Sequence, residues 1–116
     1  MFNISNTNII TMNRGDTASF PLLLNAGTSI DPVPYSLTDG DSIYFYLCFP
    51  NEKFENAYLK KKYTKENMDE EGYNLIVTLT SEDTVDLPVG KYYYQVRIVG
   101  EGKVITAIPA RIFNII

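Results

Sequence analysis

Residues 80–96 read TSEDTVDLPVGKYYYQV. Ser81-Glu82-Asp83-Thr84 predicts one helical turn with Ser81 as its cap. Asp86-Leu87-Pro88-Val89-Gly90 then leads into a run that alternates to Val99. Tyr92, Tyr94, Val96 and Ile98 share one face, and Tyr93, Gln95, Arg97 and Val99 share the other. Period-two alternation built from aromatic and β-branched side chains predicts a strand over Lys91–Val99.

The same period governs the rest of the chain. In Ser42–Phe49, Ile43, Phe45, Leu47 and Phe49 lie opposite Tyr44, Tyr46 and Cys48. In Tyr73–Thr80, Tyr73, Leu75, Val77 and Leu79 lie opposite Asn74, Ile76, Thr78 and Thr80. Further strands are expected over Ile9–Met12, Thr17–Leu24, Ala57–Thr64, Val104–Ile108 and Arg111–Ile116, with Pro109 bending the chain between the last two. Pro21 has no N–H for a ladder, which assigns its strand to an edge or a bulge. Turns are expected at Arg14-Gly15-Asp16, Asp39-Gly40-Asp41, Glu71-Gly72 and Gly100-Glu101-Gly102. Helix is limited to single turns, at Lys65–Glu71 and Ser81–Thr84. About seven short strands at roughly ten-residue spacing point to an all-β antiparallel sandwich.

The 116 residues make one domain, residues 1–116, large enough to bury a core without metal or disulfide staples. Hydrophobic residues are 45% and charged residues 21%, a globular balance. Ten basic against fourteen acidic residues give −4, against a protein held to nucleic acid by phosphate neutralisation. With no histidine, no Ser-His-Asp triad, Cys-His dyad or histidine metal site can be assembled. The single cysteine, Cys48, has no intrachain partner and reads as a small buried hydrophobe. Met1–Asn13 lacks the charge and apolar core of a signal peptide, and no apolar run is long enough to span a membrane.

Asp86-Leu87-Pro88-x-Gly90-x-Tyr92 resembles the E–F corner of immunoglobulin-like sandwiches, where a tyrosine early in strand F packs inward and bonds back to the backbone. Tyr92 takes that place. The strand-C tryptophan and the disulfide of antibody domains are absent. A wider pattern runs Arg14-Gly15-Asp16-Thr17, Leu22-Leu23-Leu24, Leu37-Thr38-Asp39-Gly40-Asp41, Ile43-Tyr44-Phe45, a lysine-rich strand, Leu79–Thr84 and Leu87–Tyr94. In this order, over about a hundred residues, it resembles the immunoglobulin-like domains of tailed-bacteriophage virion proteins, such as the N-terminal domain of baseplate upper proteins. The resemblance implies an immunoglobulin-like β-sandwich and a structural place in the virion, in tail, baseplate, head or neck.

Candidate functional residues divide sharply. Arg14-Gly15-Asp16 spells the integrin-binding tripeptide but reads as a tight turn, with Gly15 supplying positive φ. Asp39 and Asp41, or Asp69, Glu70 and Glu71, lack the ligand spacing of a calcium loop, and no metal or cofactor is expected. Lys60, Lys61 and Lys62, with Lys53 and Lys65, form the basic cluster. Alternation sends Lys61 to the face opposite Lys60 and Lys62, and lysine on an exposed strand guards against edge pairing. The nine tyrosines carry more. With Ile43, Phe45 and Leu47 inward, Tyr44 and Tyr46 face out, and with Tyr92, Tyr94 and Val96 inward, so do Tyr93 and Arg97. Strands C and F are neighbours in an immunoglobulin-like sheet, so Tyr44, Tyr46, Tyr93 and Arg97 are expected on one partner-binding face. Tyrosine and arginine are enriched where interfaces bury most energy.

The function expected is therefore non-enzymatic. The resemblance implies that the chain is a virion protein, expected to pack against other virion proteins as a homo- or hetero-oligomer, with neither nucleic acid nor membrane as partner. The alternative is a stand-alone carbohydrate- or receptor-binding module whose tyrosines stack on sugars.

Overall fold

The computed structural model describes residues 3–5, 9–24, 37, 40–50, 52–69 and 74–116. Asp39 of the expected Asp39-Gly40-Asp41 turn, the expected turn at Glu71-Gly72, the strand start at Tyr73, and the acids Glu70 and Glu71 lie outside these residues. Among the described residues eight strands form: β1 (Asn3–Ile4), β2 (Ile10–Met12), β3 (Ala18–Leu23), β4 (Ser42–Cys48), β5 (Leu59–Tyr63), β6 (Asn74–Leu79), β7 (Gly90–Gly100) and β8 (Lys103–Ile115). One α-helical turn, α1 (Ser81–Thr84), follows β6. Phe54–Asn56 and Lys65–Asn67 are 3-10 turns.

The protein is all-β. Six strands form one sheet in the order β1-β2-β8-β7-β4-β5, and β3 and β6 pair in a second. The inward faces of both sheets share one hydrophobic cluster. From the large sheet come Ile43, Phe45, Leu47, Tyr92, Tyr94, Val96 and Phe113, and from the small one Phe20, Leu22, Leu75, Val77 and Leu79. Phe45, Tyr94 and Phe113 form a row across β4, β7 and β8, with ring centroids 5.6 and 6.2 Å apart. Strand alternation places every one of these residues inward, as the period-two reading requires.

Three expectations need correction. The large sheet is mixed, because β2 runs parallel to β8, pairing Ile10 with Phe113 and Met12 with Ile115. Backbone bonds from Ile116 N–H to Met12 O and from Arg14 N–H to Ile116 O extend this join. Residues 103–115 are one strand instead of two. Between the pairs Tyr94↔Arg111 and Arg97↔Thr106, β8 takes five steps to β7's three. The two extra residues absorb Pro109, which has no N–H to give, and being even in number they restore the facing of the side chains. The cap of α1 is Thr80, one residue before Ser81, and the Asp83 carboxylate reaches back to accept its N–H at 2.7 Å.

Pro21 sits on β3, which pairs only with β6 among the described residues, so it is an edge proline as expected. The far edge of β6 is closed by side chains from β5. Thr78 N–H donates to Tyr63 Oη at 3.3 Å, and Thr78 O accepts from Lys61 Nζ at 2.8 Å. Lys61 Nζ also meets Asp83 Oδ2 at 2.6 Å. Lys61 therefore joins the two sheets, while Lys60 and Lys62 stay on the exposed side.

Candidate protein-interaction face

β4 lies between β5 and β7 in antiparallel register. That register sets Tyr44 beside Lys62 and Arg97, and Tyr46 beside Lys60 and Gln95, on the side of the sheet away from the core. The Tyr44 and Tyr46 rings stack at 6.1 Å and 29°. Lys60 Nζ stands 4.8 Å from the Tyr44 ring centre and 5.7 Å from that of Tyr46. The Arg97 guanidinium stands 5.8 Å from the Tyr46 ring. Cations placed over ring faces are held by the ring quadrupole. Arg97 is steadied further, donating from Nε to Gln95 Oε1 at 2.7 Å and lying 3.9 Å from Glu55.

All four expected residues therefore occupy one face, though not equally. Tyr44, Tyr93 and Arg97 are half-buried, while Tyr46 is only 9% exposed. The expectation that Tyr46 is a free outward ring is corrected: its own neighbours on the face, Tyr44, Lys60 and Arg97, cover it. Tyr93 stands opposite Cys48, one outward rung beyond the Tyr46–Gln95 pair. Gln95 joins them on the side its alternation gave it, whereas the contacts of Lys60 and Glu55 with this arrangement were not anticipated. Alternation along β5 already put Lys60 on the outer side, but its contact with tyrosine depends on the β4–β5 register, which no local pattern reveals.

Cys48 also points outward by alternation yet is 1% exposed. Its thiol approaches Lys53 O at 4.0 Å, beneath the connection between β4 and β5. Burial, then the nearby Glu52 and Glu55 carboxylates, push the thiol up to about 11. A thiol held protonated is no nucleophile at neutral pH, which agrees with a packing role. Burial likewise raises Tyr63 and Tyr94. For an acid, a raised folded-state value means stability is fully present below the unfolded value and lost as pH climbs through the folded one. The domain should therefore hold its stability from about pH 6 to 8, where no histidine titrates, and lose it progressively from about pH 9 upward. Urea midpoints at stepped pH check this, and Cys48→Ala should remove the part of the fall between pH 9 and about 11.

The Arg14-Gly15-Asp16 segment is built into the fold. Gly15 has φ +79°, and Asp16 N–H bonds back to Asn13 O at 3.2 Å. Gly15 N–H donates to Oγ1 of the fully buried Thr84 at 2.9 Å, tying this turn to α1. Among the described residues no group of three or more His, Cys, Asp or Glu is placed to hold a metal ion. No buried side-chain nitrogen or oxygen among them lacks a hydrogen-bond partner. No described helix is long and apolar enough to cross a membrane. Compared with known protein families, curated proteins and solved structures, the chain matches none.

Proposed function

We propose that this domain is a non-enzymatic structural protein of a tailed-bacteriophage virion, an immunoglobulin-like sandwich that works by packing against other proteins. The observation that carries the reading is the outer face itself. Paired tyrosines, with lysine and arginine over their rings, form a rigid, amphipathic surface in which the tyrosines and arginine are of the types enriched at interface hot spots. The strand order supports the fold assignment, with β4 and β7 adjacent where strands C and F are expected. The bond from Tyr92 Oη to Pro88 O supports the corner. Assembly needs no bond made or broken. It needs a stiff surface that loses little conformational entropy on association, and rings already held by their neighbours meet that requirement.

Alanine at Tyr44, Tyr93 or Arg97 should leave the isolated fold within about 1 kcal/mol of wild type and weaken incorporation into particles by at least about 2 kcal/mol at the hot spots. Tyr46 is better tested as Phe, because Ala at a covered position also damages the fold. Melting curves of each variant, followed by its yield in assembled particles, give both quantities, and density for the domain in a map of the intact virion locates it. Normal incorporation of all four variants would remove the face from the proposal. Saccharide-induced shifts of the tyrosine signals, with assembly intact, would favour the carbohydrate-binding alternative.

A further inference from the structure

The outer face and α1 differ in charge. Lys60, Lys62 and Arg97 surround the Tyr44–Tyr46 pair on a chain whose net charge is −4. At α1, Asp83 is engaged by Lys61, whereas Glu82 and Asp86 are exposed on either side of Val85, which is itself 46% exposed. The first surface is cationic and aromatic, the second acidic and apolar. They are different surfaces, one on the outer side of the large sheet and the other at α1, which meets the opposite side of β5 through the Lys61–Asp83 pair.

We propose that the outer face of one copy docks residues 81–86 of a second copy, a head-to-tail contact that rests on the assembly role given to this face above. A two-fold, face-to-face pairing would set the exposed Lys60 and Lys62 against the same two lysines, Arg97 already having Glu55 beside it, and like charges across an interface oppose association. Docking the 81–86 segment instead brings Glu82 and Asp86 to the lysines and arginine and Val85 to the tyrosine rings. Because the two surfaces differ, each copy keeps one of each free after the first contact. The contact therefore propagates to a ring or a filament and does not stop at a dimer.

Sedimentation velocity of the full chain over a concentration series tests this. Wild type should grow beyond dimer at low salt and weaken by at least about tenfold at physiological salt, as screening shortens the reach of the charges. Lys60→Glu with Lys62→Glu should be monomeric, and so should Glu82→Lys with Asp86→Lys. An equimolar mixture of the two should associate again, since each supplies the surface the other has lost. Lys60→Gln with Lys62→Gln repeats the first arm if charge reversal disturbs folding, judged by melting. A monomeric wild type, a two-fold dimer indifferent to these changes, or folded variants that fail to associate when mixed would each overturn the proposal. If Tyr44→Ala still loses particle incorporation in a chain that is monomeric alone, self-docking is refuted while the packing role of the face stands.

Discussion

Tyr92→Ala is expected to lower the stability of the isolated domain by roughly 3–5 kcal/mol, and Tyr93→Ala by less than about 1 kcal/mol. The two residues are neighbours on β7, but alternation sends Tyr92 into the core and Tyr93 to the outer face. Removing the Tyr92 ring leaves a cavity beside Phe49, whose ring centre is 5.5 Å away. It also removes the 2.5 Å bond from Tyr92 Oη to Pro88 O, which pins the approach to β7 four residues upstream. Tyr92→Phe separates the two losses: it keeps the ring and should cost about 1 kcal/mol, the usual net value of one hydrogen bond. Urea unfolding of the three variants measures all of this. A larger loss at Tyr93 than at Tyr92 would contradict the facing of β7, and the outer face would go with it.

Tyr63→Ala is expected to cost a similar amount, about 3–5 kcal/mol, through a different contact. Its ring is part of the core cluster and its hydroxyl meets the backbone of Thr78, so one side chain fills space in the large sheet and satisfies the edge of the small one. Tyr63→Phe should cost about 1 kcal/mol, because water can reach the exposed Thr78 in place of the hydroxyl. Lys61→Met removes the ion pair to Asp83 and the bond to Thr78 O while keeping most of the aliphatic stem. Asp83 retains the Thr80 N–H, so about 1–2 kcal/mol is expected. Tyr63 and Lys61 share Thr78 O, so the double variant should depart from additivity, which a double-mutant cycle measures directly. Additive losses would show that the two side chains do not act together on the β6 edge.

Much of the fold was legible because alternation is a local property. Ile43, Phe45 and Leu47 against Tyr44 and Tyr46, or Tyr92 and Tyr94 against Tyr93, can be sorted from a few adjacent letters, since successive side chains leave a strand on opposite sides. The inward facing of Tyr92 was legible in the same way, whereas a bond from it back to the backbone, here made to Pro88 O, was expected only from the resemblance. Pro21 declared an edge or a bulge, because a missing N–H is visible in the sequence itself.

What depends on how distant segments meet was not written in that pattern. The direction in which β2 runs beside β8 comes from chain path, as alternation is the same for parallel and antiparallel partners. The continuous β8 needs two extra residues opposite β7, a register property shared by two strands. Alternation set Lys61 on the face opposite Lys60 and Lys62, but only the stacking of β5 against the β6 edge gives it Asp83 and Thr78 as partners. On the outer face, the sequence by itself determined the side from which Tyr44, Tyr46, Tyr93 and Arg97 emerge. The tertiary structure decided that Tyr46 is covered and that Lys60 belongs with it. The physical reason is that facing is set by backbone geometry within one strand, whereas burial and ring contacts are set by which strand lies alongside and at what register.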